Sequence, residues 1–476
     1  MHFLIYLISF LEGFTTLSIE IIAIRRFTPI IGTNSISTSI ILGVILLALS
    51  YGYYIGGKNT KNLEEKYLIR KIIFNLVFAS IYYLFFTFIF DKFILEFLII
   101  NTNNYFLSIL VSSFLLFFMP VFFASQTIPL LSEVLKGNNT GEKIGKLLFF
   151  STIGSFLGSV LTSSLFFPLI GVYKTSVLNS FILSIISVFL GIYIFKKYKK
   201  IFISSIFSVI ILFSSLILIF SKNLAIENII YKTANSYQDI EIYEQDGNRI
   251  FALNGGYSSG IDIKTKESFF WYIKEIKKNI LKNNGKKILI IGAAGFTLPQ
   301  ELAKIKNISK IDVVDIDGDL KQIAEKYFLQ EKLSEKINFI VEPSRYFLNN
   351  SIKNNKFYDE IVVDIYVGKS LPSQTLTEEF FKNIKKIGKN IYLNIITDKN
   401  LETDFSKNLF NTIQKSFGEV YYLDEKLNTN KKNYLTNIVV TNIFLEGYKK
   451  YIFDKNFGTY TDDKHSIEID IFKRGL

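Results

Sequence analysis

The chain of 476 residues contains no cysteine. That excludes disulfides, thiolate metal sites and cysteine nucleophiles. Histidine is nearly as scarce, with only His2 and His465; with so little imidazole, neither a zinc centre nor a Ser-His-Asp triad is expected, and no metal is called for. Arginine is rare beside lysine. The formal charge is +12, but no Arg-rich or aromatic-interleaved basic patch marks a nucleic-acid footprint, and no nucleic-acid partner is expected.

What is abundant is apolar. Hydrophobic residues make up 49% and aromatic residues 16%. The composition breaks near residue 221. Before it lie runs long enough for membrane-spanning helices, which need about 20 apolar residues. They fall at about 2–24, 29–56, 71–90, 105–135, 144–170, 173–195 and 201–220. The first run has no basic n-region and no clear cleavage site, and it carries Glu12 and Glu20, so it reads as a span and not a signal peptide. A multi-pass, integral inner-membrane protein of about seven spans is expected over 1–220, with the lipid bilayer as its partner and a connector at 221–232.

Two features of these helices stand out. Gly52 and Gly56, like Gly154 and Gly158, are four residues apart, a spacing that lets helices approach closely. Packing inside one bundle accounts for them; contact between copies, in a homo-oligomer, is the alternative. Glu12 and Glu20 are costly within a bilayer. They lie about 80° apart around a helix, so one interior face can hold both. Either they form a structural ion pair, with Arg25 and Arg26 near Glu20, or they line a cation or polyamine path.

After residue 232 the pattern changes to alternating strands and amphipathic helices. Residues 236–263 alternate around the turn Asp246-Gly247, a hairpin signal, so a small β-unit is expected at 233–265. A helix is expected near 266–282. Next, "ILIIGAAGFTLP" reads as a buried strand, a glycine turn with Gly292 and Gly295, and a helix from about Thr297. Such a turn lets a ligand approach the backbone at a helix N-terminus. Phe296 stands where a further glycine is often found. The following strand, "KIDVVDID", ends at Asp315, where an acid takes ribose hydroxyls; Asp317 and Asp319 are read as caps of the next helix. "INFIVEP" ends before Ser344, and "YDEIVVD" ends at Asp364 over the same crevice. With later strands in "NIYLNII" and "YLTNIVVTN", residues 266–476 are expected to form a Rossmann-like domain of the methyltransferase kind. Lysines cluster in the loops after the second, fourth and sixth spans, and this bias places the domain outside. A nucleotide-type substrate is met inside. The side of the membrane is left open.

The succession SYQ, Leu-Asn-Gly, IGAAGFTLP, VVDID, YDEIVVDIYVGKSLPSQTLTEEFF and a terminal YTDD resembles the spermidine synthases. The first helices, "LEGFTTLSIEII" and "GVILLALSYGYYIGGK", resemble those of the membrane-fused, spermidine synthase-like proteins of bacteria, the fused transporter/spermidine synthase type. The resemblance implies an α/β domain of spermidine synthase type behind the helical bundle. It implies decarboxylated S-adenosylmethionine, or S-adenosylmethionine, as co-substrate, and a small-molecule amine as acceptor. Asp364 matches the first acid of the family's catalytic Asp-x-x-Asp, and Asp315 the acid that holds the ribose. Gly292 and Gly295 match the glycine loop. Tyr237 and Gln238 match the active-site wall, and Phe270, Trp271 and Tyr272 the aromatic cradle of the amine. There are departures. The loop has lost its Asp, Val367 replaces the second acid, the adenine-gripping Asp is replaced around Pro343 and Ser344, and Leu-Asp-Gly has become Leu-Asn-Gly at Asn254. Three functions fit: an aminopropyl-type transferase that releases methylthioadenosine, a noncatalytic nucleoside-binding regulator of the bundle, or a polyamine or cation transporter with a degenerate synthase module.

Overall fold

The computed structural model describes residues 2–31, 35–58, 60, 63–102, 105–135, 139–199, 203–220, 228–368, 371–425 and 435–474. The chain divides into a helical unit within residues 1–224 and an α/β unit that includes Tyr237–Leu476.

Among the described residues, six helices of the first unit are long and apolar enough to cross a membrane: Phe3–Thr28, Ser35–Gly57, Glu65–Thr87, Phe106–Val134, Thr140–Tyr198 and Ile203–Phe220. The fifth runs for 59 residues. If straight it would extend about 88 Å at 1.5 Å per residue, roughly three times a bilayer core of about 30 Å. It breaks at Gly171, whose backbone is not helical (φ 78°, ψ 166°). The spans expected at 144–170 and 173–195 are the two arms of this broken helix, so six helices carry seven runs. The second span starts later than expected, at Ser35, because the first helix continues to Ile31.

Both glycine pairs serve packing within the bundle. A Cβ on Gly154 or Gly158 would fall on the carbonyl oxygen of Phe10 or Phe14, and one on Gly52 or Gly56 would meet Phe122 and Ser125, or Pro129 and Gln126. Polar side chains in the apolar interior bond to one another. The Ser18 and Thr162 hydroxyls lie 2.6 Å apart, Asn179 Nδ2 donates to Ser18 Oγ (2.8 Å), and Asn75 Nδ2 donates to Gln126 Oε1 (3.0 Å). Glu12 is buried and accepts from the Thr16 hydroxyl at 3.2 Å.

The α/β unit starts with a four-stranded sheet in the order β1 (Ile229–Ala234), β2 (Asp239–Gln245), β3 (Asn248–Leu253), β4 (Gly256–Asp262). Asp246 and Gly247 make the expected hairpin turn, both with positive φ (50° and 78°), as a two-residue turn of this kind requires. β1 begins four residues before the expected unit, inside the segment read as connector; residues 221–227 of that segment lie outside the described residues.

The main sheet holds β5 (Lys287–Ile291), β6 (Lys310–Asp315), β7 (Ile337–Val341), β8 (Tyr358–Val363), β9 (Gly388–Asp398), β10 (Tyr421–Asp424), β11 (Leu435–Thr441) and β12 (Lys449–Lys450). Its order is β12-β10-β11-β9-β8-β5-β6-β7. β5, β6, β7, β8 and β9 are parallel; β11 runs antiparallel to β9, and β10, antiparallel to β11, points the same way as the parallel strands. Helices cover both faces, so the central strands are apolar on both sides instead of alternating. Ile288 and Ile290 belong to one core cluster, Leu289 and Ile291 to the other. The helix expected at 266–282 starts five residues late, at Trp271, after a Phe270 in extended conformation. From β5 the chain builds outward through β6 and β7, then returns to add β8 on the other side of β5. The crevice beyond the carboxyl ends of β5 and β8 is therefore the switch point where ligands of such sheets bind.

Candidate active site

A cavity of about 540 Å³ opens at that switch point, within the range usual for small-molecule sites. The loop after β5 forms its floor. Gly292 has φ 105°, and a Cβ there would fall on the carbonyl oxygen of Asp364. The strand ends are locked together: Gly292 N–H donates to the Val314 carbonyl and Asp364 N–H to that of Ile291, each at 2.9 Å. Only glycine fits this approach. Gly292→Ala is expected to lose about 1–3 kcal/mol to the strained φ alone, read as a lower unfolding midpoint of the α/β unit together with weaker nucleoside binding.

Gly295 does not line the cavity. It is buried behind the loop, where its N–H donates to Ser259 Oγ (3.0 Å) and a Cβ would press on the Phe328 ring. Phe296 keeps the left-handed conformation (φ 59°) of the glycine often found there. Its fully buried ring meets Phe339 edge-on at 5.1 Å, and that packing offsets the backbone cost.

Asp315, at the end of β6, lines the cavity. Its Oδ2 accepts from Ala293 N–H (2.8 Å) and its Oδ1 from Asp317 N–H (3.0 Å). Burial pushes its pKa above the usual carboxylate value, and the two backbone donors pull it back. Asp317 accepts from the Asp319 N–H (3.1 Å) and from Gln238 Nε2 (2.6 Å). Gln238 thus reaches the cavity wall from the small sheet and ties that sheet to the β6 loop; Tyr237 lines the cavity beside it. Ser344 lines it from the start of the helix Ser344–Lys353.

On the opposite wall stands Asp364. Tyr272 O–H donates to its Oδ2 (2.9 Å) and Asn394 Nδ2 to its Oδ1 (2.8 Å). Burial raises the Asp364 pKa, and the bonds from Asn394 and Tyr272 moderate the rise. Tyr272 is pushed well above its ordinary value by burial and then by Asp364, so it remains a proton donor at neutral pH. The rings of Phe270 and Tyr272 stack at 5.9 Å and both line the cavity. Trp271 does not. As the first helical residue it turns away and packs on the core.

Among the lining residues not singled out from sequence are Asn394, Tyr366 and Glu342. Asn394 orients Asp364, and its own Oδ1 is buried with no hydrogen-bond partner; an Asn inside the apolar run IYLNII of β9 was the available signal. The Tyr366 hydroxyl accepts from Ile396 N–H (2.8 Å) and donates to the Asn394 carbonyl (2.9 Å), which braces β9. Glu342 lines the cavity one residue before Pro343. A clamp closes the rim. Arg345 binds both oxygens of Asp462 at 2.6 Å, and also the Gln374 carbonyl and the Thr377 hydroxyl at 2.7 Å.

Residues 273–446 match the family described as "Spermine/spermidine synthase domain". The chain is 27% identical over 191 residues to a polyamine aminopropyltransferase of Vibrio vulnificus, covering 38% of this chain and 64% of that one. It is 30% identical over 169 residues to one of Clostridium botulinum, covering 34% and 57%. It thus spans about three-fifths of the length of these curated relatives. The solved spermidine synthase of Thermotoga maritima is 19% identical, with a TM-score of 0.37, over 52% of this chain and 84% of that one. Residues 273–446 of the α/β part are thus similar to the spermine/spermidine synthase domain and to part of the polyamine aminopropyltransferases.

Proposed function

We propose that this is a membrane-bound aminopropyl-type transferase. It moves the aminopropyl group of decarboxylated S-adenosylmethionine, or a related group of S-adenosylmethionine, to a small-molecule amine. The observation that carries this reading is the pairing, in one cavity, of an oriented carboxylate, Asp364, with a glycine turn and ribose-type acid, Gly292 and Asp315.

In this reaction the acceptor nitrogen attacks the methylene next to the sulfonium. The C–N bond forms as the C–S bond breaks, the electron pair goes to sulfur, and neutral methylthioadenosine leaves. The attacking amine must be unprotonated, although free amines of this kind have pKa values near 10. Asp364 orients the nitrogen, steadies the new cation and accepts its proton. Its raised pKa suits it to that role. Tyr272 and Asn394 hold it in place, and the cavity positions both reactants, which alone contributes several kcal/mol. Asp315 and Ser344 face the nucleoside, with Glu342 beside them. Among the described residues, Asp364 is the one lining carboxylate on the acceptor side. Val367 stands where the family has a second acid, so the site suits an acceptor of low charge better than a long polyamine.

The test uses the full-length protein in detergent, incubated with decarboxylated S-adenosylmethionine or S-adenosylmethionine, with and without putrescine or a monoamine. Mass spectrometry is expected to detect methylthioadenosine that depends on both donor and amine. Val367 also favours a second reading, a noncatalytic nucleoside-binding domain. Tight methylthioadenosine binding without turnover of either donor would establish that one.

A further inference from the structure

The helical unit has a cavity of its own, of about 730 Å³, between the helix that begins at Glu65 and the helix Ile203–Phe220. It is amphipathic along its length. Arg70, Lys71 and Ser204 line one end; Phe74, Phe78 and Ile81 line the wall leading away from it. Eleven residues separate Arg70 from Ile81, or about 16 Å along a helix. That is roughly half of a bilayer core of about 30 Å, the depth of one leaflet. Both helices start at the polar end. Lys197 Nζ binds Glu65 Oε2 there at 2.6 Å, and the basic residues at this end outnumber its acids, Glu64 and Glu65. Lys66, Lys196 and Lys199 add positive charge on the same flanks. An apolar wall one leaflet deep beneath a cationic mouth matches the two halves of one ligand class.

We propose that this groove binds an anionic phospholipid, with its phosphate at Arg70 and Lys71 and an acyl chain along Phe74, Phe78 and Ile81. The charge selects the occupant. A zwitterionic lipid fills the apolar wall as well but brings no net charge to the mouth, whereas an anionic headgroup near basic residues gains from each one.

The full-length protein, purified in mild detergent, is titrated with dioleoyl phosphatidylglycerol or dioleoyl phosphatidylcholine and followed by native mass spectrometry. Phosphatidylglycerol is expected to bind selectively. The double variant Arg70→Ala/Lys71→Ala is expected to lose about 30-fold in its affinity, the loss that follows from removing two cations near an anionic headgroup. Arg70→Lys/Lys71→Arg is expected to retain it, which separates charge from misfolding. Equal binding of the two lipids, or unchanged phosphatidylglycerol affinity in a well-folded alanine variant, overturns the proposal. So does a change in oligomeric state without a change in lipid binding, which would make the groove a contact between copies.

Discussion

On the proposed function, Asp364→Asn is expected to lower donor turnover by about 10²-fold or more, the range for loss of a general base, and to change methylthioadenosine affinity little, because that reading puts the nucleoside on the Asp315 side of the cavity. The substitution keeps size and removes charge. Its hydrogen bonds survive: Tyr272 still donates to Oδ1. The Asn394 amide, whose Oδ1 has no partner, can turn to accept from the new NH₂. Stability should therefore hold. The folded pKa of Asp364 is raised above its unfolded value. Such a group contributes stability that is fully present below the unfolded pKa and is lost as pH rises through the folded one. The asparagine behaves like the protonated form, so the variant is at least as stable as the parent at pH 7 and gains most at higher pH. The parent's turnover is expected to fall as pH drops through the Asp364 pKa, which burial raises from the ordinary aspartate value. Steady-state kinetics, calorimetry with methylthioadenosine and thermal unfolding across pH check all three. Undiminished turnover in the variant would make Asp364 a structural residue.

Asp315→Ala is the complementary case. If both carboxylate oxygens take ribose hydroxyls, two bonds to a charged group are lost, at about 1.5–3 kcal/mol each. Methylthioadenosine affinity then falls about 10²-fold or more. Asp315 also holds the Ala293 and Asp317 N–H groups, so collapse of the loop could imitate a lost contact. Asp315→Asn separates the two: it keeps one acceptor, and so part of the loop's support, but loses the charge. A graded fall in calorimetric affinity from aspartate through asparagine to alanine supports a direct ribose contact. Unchanged affinity in the alanine variant removes Asp315 from the site.

The parallel strands were legible because their signal is local. "ILII", "VVD" and "EIVVD" are short apolar runs, each ending in a glycine or an acid, and the structure sets those ends around one crevice. What escaped were features defined by partners far away in sequence. β1 and β10 are short and weakly patterned, and register with a neighbour makes them strands. Trp271 shares an aromatic run with Phe270 and Tyr272, but only the helix start between Phe270 and Trp271 decides which rings face the cavity. Gly295 has the composition of a ligand loop, while its position behind Phe328 depends on a contact more than 30 residues away. Asn394 is one of two asparagines in β9, and the bond to Asp364 that sets it apart spans 30 residues.

The Arg345–Asp462 clamp joins positions 117 residues apart, and this bears on the order in which the protein is made. A ribosome delivers the long apolar helices first, then the strands that end at Gly292, Asp315 and Asp364. The rim loop at Gln374 and Thr377 has its anchor in Arg345 but lacks the carboxylate that fixes that guanidinium until residue 462 emerges. Contacts of such long sequence separation form late. A nascent chain halted between β12 and Asp462 would therefore hold the sheet and the Asp364 carboxylate with an unfastened rim, which closes only as the last segment docks.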